Sequence, residues 1–273
     1  MISKVEVRTP SGSVLTLTLD DTSNGFVIAG IDGLDPVKAT ITSSSFAKID
    51  GSQYQASRRE ARNIILKIGL EPNYVTSTVR SLRNILYDYF MPKSEVSLRF
   101  YVDDDLVVDI DGRVETCDSD LFSKDVQVNV SILCFDPDFI EHESETITGA
   151  TVSTDETITV NYDGTVSTGI VFVMPIDRSL SSFTIYHTPP DGTVRSLDFS
   201  DSLVSGDVVT IGTNRGDKYV YRMREGVTQS ALYAMSPQSN WIELERGVNT
   251  LRVYATGAAL SYTITYFNRY GGL

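Results

Sequence analysis

Trp241-Ile242-Glu243-Leu244, then Gly247-Val248-Asn249, then two alternating runs over residues 250–255 and 260–267, and last Tyr270-Gly271-Gly272-Leu273: this stretch decides the fold. An aromatic anchor, a glycine turn and two runs of period two read as the hairpin that closes a β-sandwich. The stretch carries no chemistry of its own. It points to a binding or assembly module rather than to an enzyme.

Upstream, the same pattern continues. Residues 157–162, 169–175, 182–187, 194–199, 207–212 and 218–223 read as strands. Asp163-Gly164, Pro189-Pro190-Asp191-Gly192, Ser205-Gly206-Asp207, Arg215-Gly216-Asp217, Arg246-Gly247 and Thr256-Gly257 separate them as turns. An antiparallel β-sandwich over residues 146–273 follows. Residues 141–148 are polar, lack periodicity and read as a linker, so the first domain spans residues 1–142. There, 4–7 and 14–19 form a hairpin about Pro10-Ser11-Gly12, and 26–33, 37–43, 62–69, 96–102, 106–110, 112–116 and 125–135 read as further strands. Residues 44–60 are polar and read as a long exposed hairpin or loop, a length that tends to serve function or contact. One helix is expected over 75–90, from Val75, Val79, Leu82, Ile85, Leu86, Tyr89 and Phe90 at three- and four-residue steps. Asn73 is its expected cap and Pro92 its stop. The fold class is mainly β, with an N-terminal β-sandwich or barrel-like domain carrying one packed α-helix.

The 273 residues suffice for one large or two ordinary domains, and a 41% hydrophobic content suffices for real cores. The net charge of −13 argues against binding nucleic acid through its phosphates. The first 142 residues hold 14 basic and 22 acidic side chains and the rest hold 9 and 14, so no basic domain hides in the total. The start, Met1-Ile2-Ser3-Lys4-Val5-Glu6-Val7, alternates like a strand and lacks an apolar signal core, so export by that route is not expected. Reduced thiols follow. Cys134 falls on the apolar phase of a strand with Val126, Val128, Val130 and Ile132 and reads as a buried thiol; a bridge to Cys117 is the alternative.

The chemistry-bearing side chains are few. His142 lies in the linker and His187 ends a strand before Pro189-Pro190, neither beside a nucleophile. Two histidines and two cysteines offer little to a transition metal. Asp103-Asp104-Asp105 with Asp109, Asp111 and Gly112 resembles a calcium loop, but counting from Asp103 puts Val108 at the sixth position and Val114 at the twelfth, where glycine and glutamate are required. A solvated hairpin tip is the better reading. Arg215-Gly216-Asp217 has the form of an adhesion tripeptide and is explained by a turn. Trp241 and Tyr186 could stack on sugar rings; the alternation after Trp241 favours a packing anchor. No phosphate-binding loop or dinucleotide fingerprint is present, and neither a catalytic site nor a cofactor is expected.

Taken in order, these segments resemble the distal tail proteins of tailed bacteriophages. The likeness is carried by the helix ending Leu86-Tyr87-Asp88-Tyr89-Phe90, by Leu98-Arg99-Phe100, Gly112-Arg113-Val114-Glu115 and Val130-Ser131-Ile132-Leu133-Cys134-Phe135-Asp136-Pro137, and by Gly206-Asp207-Val208-Val209-Thr210-Ile211, Trp241-Ile242-Glu243-Leu244 and Gly247-Val248-Asn249-Thr250-Leu251. The resemblance implies a structural, non-enzymatic virion protein at the distal end of the tail. It implies a homo-hexameric ring with the first domain as belt and the second, a sandwich of galectin or carbohydrate-binding-module type, as accessory. Implied partners are the tail-tube protein above and tail-tip hub, tail-associated lysin or receptor-binding proteins below, with DNA passing through the lumen unbound. The alternative is a carbohydrate-binding adhesin with a lectin-like sandwich.

Overall fold

The computed structural model describes residues 2–19, 21, 23–48, 50–102, 106–120 and 126–273. The chain divides into two units: residues 1–142 together with 271–273, and residues 143–270.

The first unit holds β1 (Lys4–Arg8), β2 (Val14–Thr18), β3 (Phe26–Asp32), β4 (Ala39–Ser44), β5 (Gln53–Arg59), β6 (Arg62–Leu70), α1 (Val79–Phe90), β7 (Glu95–Tyr101), β8 (Val107–Ser119), β9 (Gln127–Cys134) and β10 (Phe139–Glu141). Its main sheet runs β2-β1-β7-β8-β9-β6-β3, antiparallel at every step, with β10 added to β8. The end strands β2 and β3 lie against each other, so the sheet curls toward closure and is barrel-like. Alternation sets the inward face: Ile64, Leu66, Ile68 and Leu70 of β6, Val128, Val130 and Ile132 of β9, and Val96, Leu98 and Phe100 of β7 are all buried.

Helix α1 begins later than the apolar spacing predicts. Its N-cap is Thr78, whose hydroxyl accepts from the Ser81 amide (3.2 Å) while the Ser81 hydroxyl accepts from the Thr78 amide (2.9 Å). Asn73 instead holds the preceding turn, accepting from the Val75 amide at 3.1 Å, and Val75 is exposed. Leu82, Leu86 and Phe90 form the buried stripe. The runs 106–110 and 112–116 are one strand, β8, because Gly112 sits where a Cβ would strike Ile132 and Cys134 and the sheet passes through it unbroken.

The second unit holds β11 (Glu145–Ala150), β12 (Ile158–Tyr162), β13 (Thr168–Gly169), β14 (Val171–Pro175), β15 (Leu180–Thr188), β16 (Arg195–Leu203), β17 (Val208–Asn214), β18 (Asp217–Arg224), β19 (Val227–Ser230), β20 (Glu243–Leu244), β21 (Gly247–Ala255) and β22 (Ser261–Tyr266). One sheet runs β11-β22-β14-β17-β18-β19 and the other β12-β21-β15-β16, with β13 paired to β20. Aromatic rings join the two faces of this sandwich: Phe172 of the first sheet stacks on Phe183 of the second at 5.9 Å, Phe183 on Phe199 at 4.9 Å, and Tyr262 meets Phe172 at 5.4 Å. The expected linker 141–148 is mostly strand. Residues 145–150 pair with β22 from Glu145↔Tyr266 to Ala150↔Ser261, and the Thr-Ile-Thr alternation at 146–148 is that of an edge strand with one half-buried face.

Candidate assembly interface

The segment 44–60, read as an exposed hairpin or loop, is the tip and second strand of a hairpin whose first strand, β4, lies mainly in the stretch 37–43 read as a separate strand. Among the described residues, strands β4 and β5 pair only with each other, from Ala39↔Arg59 to Ser44↔Gln53. Nearly every side chain faces solvent, including Ile41 (67% exposed), Phe46 (58%) and Tyr54 (62%). A lone two-stranded hairpin is marginal in water, and exposed aromatics on its surface are unspent burial. Its charge is opposite to that of the chain: residues 37–60 carry Lys38, Lys48, Arg58 and Arg59 against Asp50 and Glu60, within a molecule of net charge −13. The arm is therefore an extended, cationic, aromatic-bearing surface.

Its base is held by buried polar contacts. Arg62 occupies the inward phase of β6, in register with Ile64 and Leu66, and is 1% exposed. Its guanidinium donates to four backbone carbonyls: Pro137 (2.7 Å), Gly33, Asp35 (2.7 Å) and Gly271 (2.6 Å). The Phe139 ring lies beneath it, 4.4 Å from centroid to guanidinium carbon. Burial lowers its pKa from the ordinary guanidinium value, yet an arginine stays charged, so carbonyl dipoles and a ring face replace its water. Beside it Arg59 grips the buried Asp138 carboxylate with both terminal nitrogens. The Glu60 amide donates to the Lys38 carbonyl at 3.0 Å and closes the arm's neck. Arg62 could have been noticed in the sequence as a charged residue on the apolar phase of a strand. Its acceptors, up to 209 positions away, could not.

The other residues singled out are dispersed. Tyr186 lines a shallow depression of about 190 Å³ with Asp155, Thr188, Thr250 and Arg252. The Arg252 guanidinium lies 4.1 Å from the Tyr186 ring centroid and covers one ring face. Trp241 does not line that depression; it packs against the sandwich core, with Lys218 5.5 Å from its ring. The next residue is anchored by buried Thr213, whose hydroxyl donates to the Ile242 carbonyl at 2.6 Å and accepts from the Ile170 amide at 2.8 Å. Trp241 and Tyr186 thus do not line the same depression. Asp109 lies inside β8 rather than in a loop, and its carboxylate is taken by Arg99 (2.7 and 2.8 Å) and by His142 (2.9 Å). Asp103, Asp104 and Asp105 lie outside the described residues. Arg215-Gly216-Asp217 spans the β17–β18 turn, where Gly216 takes a φ of 81°. Cys117 and Cys134 are free thiols, and burial pushes Cys134 up to about 12.

His187 is fully buried, and its neighbours fix its protonation. The Asn249 amide nitrogen donates to the carbonyls of Glu245 (2.7 Å) and Gly247 (3.0 Å), so its oxygen is the acceptor facing His187 Nε2 at 3.0 Å. The imidazole is then the neutral Nε2–H form, with Nδ1 buried and unpartnered. Burial lowers its pKa below 6.5, against the Asn249 hydrogen bond, so the unfolded chain takes up a proton that the folded chain refuses. Stability of the second unit is expected to be level above pH 6.5 and to fall as the pH drops below it. Thermal melts from pH 8 to 5 check this: His187→Gln should remove part of the acid-side loss, and parallel profiles would contradict it.

Residues 163–270 match the family model described as "Siphovirus-type tail component, C-terminal domain". The fold of the full chain is similar to the SPP1 Dit (gp 19.1) protein, whose crystal structure is described as a paradigm of the hub adsorption apparatus in phages infecting Gram-positive hosts. The TM-score is 0.69 at 16% identity, over 97% of this chain and 98% of that one. A chain of the phage P2 baseplate, in its activated conformation with calcium, matches with TM-score 0.52 at 8% identity over 100% of both chains. No curated protein sequence matches. The expected resemblance thus stands on a sequence match in the second unit and on a shared fold across both. No described helix is long and apolar enough to cross a membrane.

Proposed function

From a siphovirus-type tail domain in the second unit and a distal-tail fold over both, we propose that this chain is a structural component of a phage tail tip. The observation that carries this is the agreement of the family model over residues 163–270 with a fold likeness covering 97% of the chain. In this reading six copies close into a ring at the end of the tail. The first unit forms the belt, and its arm reaches the neighbouring copy; the second unit is the accessory domain that meets tail-tip, lysin or receptor-binding proteins. A cationic arm on an acidic body suits a head-to-tail contact, because each copy offers both the donor and the acceptor surface. Ring closure also buries arm aromatics that would otherwise promote aggregation. An acidic lumen would let DNA pass without adhering, since phosphates are held by cations.

The test of placement is binding to the tail-tube protein encoded by the same genome. Stable co-purification with that protein supports the reading. A protein that stays apart from it while binding free glycans with micromolar affinity would support the adhesin reading instead.

A further inference from the structure

Residues 271–273 return to the first unit at the place where the arm begins. The Gly271 carbonyl accepts from Arg62 at 2.6 Å, and the Leu273 amide donates to the Leu34 carbonyl at 3.1 Å. Gly272 lies so close to the non-strand segment that leads from β3 into the arm that a Cβ would stand 2.9 Å from the Pro36 nitrogen, 2.8 Å from its Cδ and 3.1 Å from the Leu34 oxygen. Two of these neighbours are backbone atoms, which cannot swing aside as a side chain tip can. The same Arg62 holds the carbonyls of Gly33 and Asp35, on the segment between β3 and β4 that enters the arm, and of Pro137. Gly33 itself has a φ of 91° and no room for a Cβ against the Asn63 carbonyl. On the outgoing side, Arg59 is locked to Asp138. Both feet of the arm are therefore clamped between residues 137–138 and residues 271–273, with Arg62 as the pin.

We infer that residues 271–273 are a positioning element for the arm: they set its bearing on the first unit, and through it the arm's capacity to engage a partner copy. The second half of this statement rests on the ring reading above; the first half does not. Among the described residues β4 and β5 have no sheet partner but each other, so the feet of the arm set its direction. Loosening one foot frees the whole lever while leaving the β6–β9 core untouched. A residue that merely added stability would act on the unit as a whole. A clamp acts on the arm first.

Two variants of the full chain separate these cases. Gly272→Val forces the clamp open by sterics alone, and deletion of residues 271–273 removes it. Hydrogen exchange is read by mass spectrometry on peptides covering 34–44, 53–62 and the strands of the core. Both variants are expected to speed exchange of the arm and its feet at least about tenfold, with residues 63–70 of β6, β7 and β9 unchanged and the thermal midpoint of the second unit unmoved. Gly272→Ala should give an intermediate effect. Unchanged exchange at 34–38 and 59–62 in the deletion variant would overturn the inference, and so would uniform acceleration across the first unit. Mass photometry on the same samples reads association. A wild-type protein that never associates counts against the ring and leaves the exchange result to judge the clamp. Association at wild-type strength despite a loosened arm would sever the clamp from assembly.

Discussion

Arg62→Ala is expected to cost the first unit about 4 kcal/mol, among the larger effects a single substitution can have. The change strips the donor from the carbonyls of Gly33, Asp35, Pro137 and Gly271 at once and opens a void over the Phe139 ring. Each buried acceptor left bare costs about 1–3 kcal/mol, and partial hydration of the void recovers some of the total. In urea the midpoint for the first unit should fall by about 2 M, taking a slope of about 2 kcal/mol per M. Arg62→Lys keeps the charge but not the planar fork. One ammonium cannot reach four carbonyls arranged about a guanidinium, so roughly half of the loss should remain. A lysine variant as stable as the parent would show that the charge alone matters and that the carbonyl pattern does not. The second unit, with its own core, should melt unchanged in both.

Substitution of the arm should have the opposite signature. Phe46 and Tyr54 are 58% and 62% exposed, so Phe46→Ala and Tyr54→Ala should leave monomer stability within about 0.5 kcal/mol. If the arm meets a neighbouring copy, those same rings are its natural anchors. Aromatic anchors at the centre of an interface are worth about 2 kcal/mol or more each, so each variant should weaken association about 30-fold. Reversing Lys48 and Arg58 to glutamate should weaken association further, and the defect should be milder at high salt, where like-charge repulsion is screened. Sedimentation velocity across a concentration series reads both effects. Wild-type association in the double aromatic variant would remove the arm from the interface.

How much of this was legible beforehand depended on the range of the interactions involved. The sandwich of the second unit, the curled sheet of the first and the existence of α1 follow from period-two and period-3.6 patterns within a dozen residues. The hairpin at 39–59 was legible as an exposed element because polarity and length are local properties. Local competition misled the helix start: Asn73 and Thr78 are both good caps, and only Thr78 has Ser81 three residues on to complete a reciprocal box. Residues 141–148 read as a linker because the edge strand that begins within them, at Glu145, turns one half-buried face to the core and needs only one apolar side chain, here Ile147. The base of the arm was out of reach. Arg62 finds its acceptors at separations of 27, 29, 75 and 209 residues, and no pattern along the chain encodes a backbone carbonyl as a partner. Trp241 and Tyr186 could be named as aromatic, but only the folded chain shows Trp241 packed against the core and Tyr186 lining a depression under Arg252.

The central claim is that the first unit closes a ring through its arm, and electron microscopy of the purified full-length protein tests it most directly, alone and mixed with its tail-tube protein. The account predicts class averages of closed rings with six-fold symmetry, lost when Phe46 and Tyr54 are both alanine. Particles that remain single chains under both conditions, or rings that persist without those two side chains, would contradict it.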